Sequence, residues 1–387
     1  MKEHYFFSQP HQPFFLLAFI NAIVAMVLFM LSFKGSILLT LSPSTFHAYS
    51  LIYLLFTPAF LAFVFTTFPR FSSTPSIQNS LYLKVFSLFA IGSLLVIFGS
   101  IFSSTLNILG MLVTLGGHLW AIIILEEIYS SSEIEDKHDI FWILLTMIFG
   151  FLSHLLFVTG HIFWQPIQDL AVQIAIYLYL FMLAFSVAQR MVPFFSHCII
   201  EKNIYLLKAL TTFLILHILL ETIYPHLSFI IDAIIALILG RELLRWNLPF
   251  PNPNPLLWIL HVALIWIPIA FSFAAISNLI SLIDGTSFLF LDIHILVLGF
   301  VFTILIGFGT RVTLGHSGNQ MLADNWIKIL FNMTQLVVIS RLITSMTMAW
   351  GWNFIIFFDI SVTLWVITFV FWILKFFKVL IFGKKLN

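Results

Sequence analysis

From residue 85 to residue 125 the chain carries no Asp, Glu, Lys or Arg. As one helix, rising 1.5 Å per residue, this run would be roughly twice as long as the ~30 Å hydrocarbon core of a bilayer. It suits two crossings joined by a turn at Ser103-Ser104-Thr105 and Asn107. The rest of the chain repeats the pattern. Apolar stretches of crossing length lie at about 13–33, 45–68, 82–103, 106–128, 139–159, 169–192, 204–223, 227–245, 256–280, 289–310, 325–347 and 353–374. Tyr224-Pro225-His226 separates the seventh from the eighth, because proline cannot continue a helix, and Pro58 is expected to kink the second. Of 387 residues, 61% are apolar and 9% charged, whereas a soluble domain carries about 25% charged residues. The expected fold is all-α: a polytopic helical membrane bundle of about twelve transmembrane helices, a single transmembrane domain over residues 1–387, with lipid as its solvent.

Basic residues orient the crossings. With a cytoplasmic N-terminus and an even number of spans, Lys2, Arg70, Lys84, Lys137, Arg190, Lys202, Lys208, Arg241, Arg245, Arg311, Lys328, Lys375, Lys378, Lys384 and Lys385 all fall inside. Only Lys34 falls outside, and Arg341 lies within a span. This asymmetry predicts that both termini are cytoplasmic. The net charge of +1, with no basic tract, points to no nucleic-acid partner. Cys198 is the only cysteine, so there is no disulfide framework and no C-x-x-C-H for covalent haem. The apolar run Pro13 to Phe33 is too long for a cleavable leader and reads as the first span. No internal repeat stands out.

Ionisable groups at membrane depth are costly and mark functional sites. Position along each span puts His47, His154 and His294 near the outer face, where a shared metal or haem would satisfy them together. His118 and His217 fall near mid-membrane; each reads either as a ligand or as an interhelical hydrogen-bond partner. Gly110, Thr114 and His118 share one helical face by their four-residue spacing. His261 lies near an inner end, and His197 and His316 just beyond one. His4, His11, His138, His161 and His226 read as solvated loop residues. Arg190 and Arg311 close two inner span ends, where they either snorkel to headgroups or bind carboxylates such as haem propionates. A basic pocket of Arg190, Arg311 and His316 is expected there. Glu221 and Arg341 are deep charges without an obvious partner in the sequence.

Thr310-Arg-Val-Thr-Leu-Gly-His-Ser-Gly318, which follows His294-Ile-Leu-Val-Leu-Gly299, resembles the signature of the NnrS family, whose corresponding stretch reads close to T-R-V-S-L-G-H-T-G-R. Pro13-Phe-Phe-Leu-Leu-Ala18, Arg190-Met-Val-Pro-Phe-Phe195 and Pro255-Leu-Leu-Trp-Ile-Leu-His261 are similar to further family stretches, and His47-Ala-Tyr-Ser resembles its H-A-H-E. The resemblance covers about residues 13–350. It implies a multi-pass protein of the bacterial inner membrane that binds haem, b-type and non-covalent, and copper, and that takes part in the response to nitric oxide. By the same resemblance, the ligand candidates are His47, His154, His261, His294 and His316, supported by Arg190 and Arg311. Three departures touch this set: Tyr49 replaces the second histidine of H-A-H-E, Ser50 its glutamate, and Asn319 the arginine that ends the signature.

The competing reading is a twelve-span secondary transporter of a small solute, with the same span count and orientation. A respiratory haem–copper oxidase is disfavoured, because the helices carry no adjacent His pair and no His-x-His.

Overall fold

The computed structural model describes residues 5–198 and 200–386. The sequence expectations for Lys2 and His4 lie outside the described residues. Twelve long helices account for most of the described chain, and no strand occurs among the described residues. They are α1 His11–Phe33, α2 Pro43–Phe71, α3 Asn79–Phe102, α4 Ser104–Ser131, α5 His138–Phe163, α6 Pro166–Phe195, α7 Leu206–Ile223, α8 Phe229–Trp246, α9 Pro255–Asp284, α10 Leu291–His316, α11 Asn325–Ala349 and α12 Ile355–Phe382. Eleven are apolar and long enough to cross a membrane. The remaining one, α8, matches the expected eighth span but carries Asp232, Arg241, Glu242 and Arg245. The protein is thus a polytopic helical membrane protein, and every expected span meets a helix.

The uncharged run divides where expected. Ser103 is extended, and its side chain accepts from Leu106 N–H to open α4. Buried Asn107 ties the hairpin together by donating to Ser100 Oγ at 2.7 Å and to the Val96 carbonyl at 3.2 Å. The two helices then run in close contact. A Cβ on Gly110 would stand 2.6 Å from Val96 N, so only glycine permits this approach.

Pro58 does more than bend α2. Residues Ser50–Phe56 form a π-helical segment immediately before it. Proline has no N–H and clashes with the carbonyl four residues back, which here belongs to Leu54. Asn21 on α1 meets that carbonyl at 2.8 Å through Nδ2, and also donates to Ser93 Oγ at 2.9 Å. Thr57 donates its hydroxyl to Ile52 O, five residues back, at 2.9 Å. Similar π segments interrupt α6 at Ala175–Phe181 and α10 at Ile295–Phe302. In α10 Thr303 donates to Leu298 O at 2.9 Å, again five residues back. These three helices are the most enclosed of the candidate spans. Single π turns occur often at functional sites.

The helices group into two compact units. The first comprises residues 1–175, 309–321 and 369–387; the second comprises residues 176–308 and 322–368. In the first, Trp372 on α12 packs edge-on against Phe19 at 4.5 Å and donates its indole N–H to Thr310 Oγ1 at 3.2 Å. In the second, Phe302 lies against Trp365 at 4.8 Å, and Trp266 donates to Gln335 Oε1 at 2.8 Å.

Candidate functional site

In the first unit α4 and α5 each bring one histidine to a common level. His118 and His154 are completely buried, and their Nδ1 atoms are 3.4 Å apart. On the other edge of the His154 ring, Nε2 lies 2.9 Å from Tyr49 Oη. Tyr49 Oη lies 2.6 Å from Thr114 Oγ1, which in turn reaches the carbonyls of Met111 and Gly110 at 2.9 and 3.0 Å. Carbonyls only accept, so the single threonine proton goes to one of them. Thr114 then accepts from Tyr49, and Tyr49 accepts from Nε2–H of His154. This leaves Nδ1 of His154 with its lone pair directed at His118. Tyr53, one turn beyond Tyr49, stacks on His154 with ring centroids 4.0 Å apart and 11° between planes, and donates to Ser153 Oγ at 3.2 Å. Phe151 and Phe157 complete the aromatic wall.

His47 is placed differently. Its ring packs on Phe29 at 4.1 Å, while Tyr49 is the α2 residue that reaches His154. Two residues along a helix are about 200° apart, so His47 and Tyr49 face different ways. Among the described residues, no group of three or more His, Cys, Asp or Glu side chains has the arrangement of a metal site. The pair His118–His154 and the Tyr49 hydroxyl form the histidine-centred constellation that the first unit does assemble.

A second polar cluster of the same unit gathers at the start of α1 and the end of α10. His11, read from the sequence as a solvated loop residue, is instead 2% exposed, because α1 begins at His11 and not at Pro13. Its ring lies 5.0 Å from that of His316, whose Nδ1 donates to Gln9 Oε1 at 2.7 Å. Nε2 is therefore the atom of His316 left to act as an acceptor or ligand. Arg70 is near enough for its charge to act on both rings. Arg311 is half-buried on the same helix as His316. Asn319, the departure from the family's arginine, accepts from Leu386 N–H at 2.8 Å, and Lys385 caps the carbonyls of Ser317 and Gly318.

His294, Arg190 and His261 belong to the second unit. His294 is half-buried and donates Nδ1–H to the Phe290 carbonyl at 2.8 Å. Arg341 lies 3.2 Å from that nitrogen, donates to Leu289 O at 2.6 Å and also binds Ser345. Arg190 is exposed at the end of α6. His261 is held from both ring nitrogens, by Ser196 Oγ at 2.7 Å and the Pro249 carbonyl at 3.1 Å. It lines an apolar cleft of about 400 Å³ with Gly240, Leu243, Phe250 and Pro268.

Two sequence readings are corrected here. Glu221 and Arg341 both have partners: Glu221 accepts from Ser228 and from His226 N–H, and Arg341 makes the contacts above. His226 is not a free loop residue, since its Nδ1 bonds Asn278 Oδ1 at 3.1 Å. The sequence reading also passed over Asp232, which is completely buried against His217. The detectable signal was a carboxylate one turn inside an apolar hairpin that holds a histidine on its other arm.

The model of the NnrS protein family matches residues 5–382, nearly the whole chain. No curated protein matches it.

Proposed function

The chain belongs to the NnrS family, and from that premise we propose that it is a metal-binding protein of the bacterial inner membrane that takes part in the response to nitric oxide, with copper held by His118 and His154 and haem bound non-covalently. The single observation that supports the copper site is the separation of the two buried Nδ1 atoms, 3.4 Å. Two imidazoles bound to one tetrahedral ion at ~2.0–2.1 Å stand ~3.3 Å apart. Imidazole suits copper, and the dry surroundings favour the neutral ligand form. Tyr49 supplies the partner to the second ring nitrogen that metal-bound histidines generally have. The close-packed rings of Tyr53, Phe151 and Phe157 suit an ion there better than a macrocycle.

Haem has a better match at the other cluster of the first unit. His316 Nε2 would be the ligand to its iron, with His11 beside it, and Arg311 and Arg70 would offer positive charge to its carboxylates. His47, His261, His294 and Arg190 stay in the proposal as alternatives carried by the family resemblance alone. Either metal would supply the affinity for nitric oxide; the protein's part is to hold it in a water-free bundle with fixed ligand orientation.

The test is one detergent-purified sample analysed for its absorption spectrum and for copper and iron per chain. A Soret band with copper present is expected. His118→Ala and His154→Ala should each lose copper and keep the Soret band, while His138→Ala keeps both. A colourless, metal-free protein from cells supplied with copper and haem precursor would overturn the reading and favour a transporter.

A further inference from the structure

The second unit contains a buried acidic network that the proposed metal chemistry does not use. His217 on α7 is 1% exposed and Asp232 on α8 is 0% exposed, with Nδ1 of the histidine 2.7 Å from Oδ1 of the aspartate. The other aspartate oxygen, Oδ2, lies 3.2 Å from Ser228 Oγ and 3.2 Å from Asn278 Nδ2. Ser228 Oγ also lies 2.9 Å from Glu221 Oε2, and Asn278 donates to it at 3.2 Å. Glu221 is half-buried beside the exposed turn Tyr224-Pro225 and accepts from His226 N–H at 3.0 Å. The chain of contacts Glu221–Ser228–Asp232–His217 is thus continuous from the α7–α8 turn to a fully enclosed imidazole. Nε2 of that imidazole has no hydrogen-bond partner among the described residues.

Proton counting decides what this network is. Ser228 owns one hydroxyl proton and faces two carboxylate oxygens, so it cannot satisfy both. Ionised Glu221 and Asp232 would place two negative charges around one hydroxyl in an apolar bundle. Asn278 Nδ2 donates to Asp232 Oδ2, and a doubly protonated His217 would answer the charge at Oδ1, but Glu221 would remain ionised on the same hydroxyl. Tyr177 on α6 packs on His217 at 4.3 Å, and Asp292 on α10 adds a further acidic group. His226 donates its backbone N–H to Glu221 and its ring to Asn278. Among the described residues no Lys or Arg is bonded to Glu221, Asp232 or His217. Two carboxylates bridged by one hydroxyl favour sharing a proton over both staying ionised. One added proton would give each of these contacts a donor. Asp232 Oδ2–H donates to Ser228 Oγ, Ser228 donates to Glu221 Oε2, and His217 Nδ1–H donates to Asp232 Oδ1.

We propose that Glu221, Ser228, Asp232 and His217 form a buried proton-binding site that exchanges one proton with water at the α7–α8 turn. The proton arrives on Glu221; Ser228 accepts it while passing its own hydroxyl proton to Asp232 Oδ2, so nothing but the proton is gained or lost. His217 is the inner terminus. Such a site supplies or stores protons inside the membrane, the role that carboxylate–histidine chains fill in proton relays.

Infrared spectroscopy of the full chain in lipid nanodiscs tests this directly. At neutral pH a carboxylic-acid C=O band, shifted by exchange into D2O, is expected. Asp232→Asn should remove it. Glu221→Gln should remove it as well, because a single carboxylate no longer forces a proton to be shared. A merely buried aspartic acid would keep its band in Glu221→Gln, and that result overturns the shared site. So does a wild-type protein with no such band. Ser228→Ala keeps both carboxylates and cuts the bridge. Its band should move in frequency and exchange more slowly with D2O, and an unchanged frequency and exchange rate would also refute the proposal. Glu133→Gln, in the loop before α5 of the first unit, serves as the control and should leave the band intact. Elution volume and circular dichroism establish that each variant is folded.

Discussion

Tyr49 Oη stands 2.9 Å from Nε2 of His154, on the ring edge opposite the one that faces His118. By its resemblance to H-A-H-E, the stretch from His47 has Tyr49 where the motif has its second histidine, so one of the positions that differ is in contact with the buried histidine pair. The first histidine of that motif, His47, packs on Phe29. The replacement therefore keeps a hydrogen-bonding group on His154 while removing an imidazole from the neighbourhood. It changes how many nitrogens are available and leaves His154 oriented.

Asn21→Ala is expected to destabilise the first unit. Asn21 is buried and serves both the Leu54 carbonyl, which Pro58 leaves without its helical partner, and Ser93. Leaving such a group unsatisfied costs about 1–3 kcal/mol. The thermal midpoint in a single detergent should fall, and an unchanged midpoint would mean that the π segment satisfies Leu54 by itself.

Gly110→Val should separate α3 from α4. The added side chain meets backbone at Val96, which cannot rotate away as a side chain can. Overpacking of this kind costs about 1–3 kcal/mol. Because Thr114 and His118 lie on the same face, one and two turns farther along α4, the variant should also lower copper content. Full copper occupancy with normal stability would show that the helix contact does not position the histidine.

Much of this was legible in the sequence, for local reasons. Span limits depend on apolar length and on breakers such as Ser103 and Pro225, so the expected boundaries meet the helices closely. What the sequence could not show depends on how helices rotate and which become neighbours. The periodicity of α2 does not say whether His47 or Tyr49 faces α5. Pro58 announced a kink, but the form it takes involves Asn21 on another helix. His11 was missed because the apolar run starts two residues later, although the helix starts at His11 itself. Asp232 was passed over because a charge near the end of a span usually reaches water; here Ser228, Asn278 and His217 enclose it.

Cys198 gives a test of orientation that needs no engineered label. It follows α6 at the end where the charge rule places the cytoplasm, and it is partly exposed. A membrane-impermeant maleimide should fail to modify it in cells with a permeable outer layer but intact inner membrane, and should modify it in inverted vesicles. Labelling from the outside would reverse the orientation of all spans together, because the single cysteine reports on the same helix that carries Arg190.

Tyr49→Phe isolates the role of the tyrosine hydroxyl. The ring, and with it the packing against Tyr53 and Phe157, is retained. What is lost is the acceptor for Nε2–H of His154 and the link onward to Thr114. Without that acceptor the imidazole is free to change tautomer or rotate, and Nδ1 no longer points steadily at His118. Removing an outer partner of this kind typically weakens metal binding by about 10–100-fold. Copper affinity, measured by competition with a chelator on the purified protein, should fall within that range, with iron and the Soret band unaffected. Thr114→Val should act in the same direction and more weakly, since Tyr49 would still accept from His154. If Tyr49→Phe binds copper as tightly as the wild type, His154 is not oriented through Tyr49.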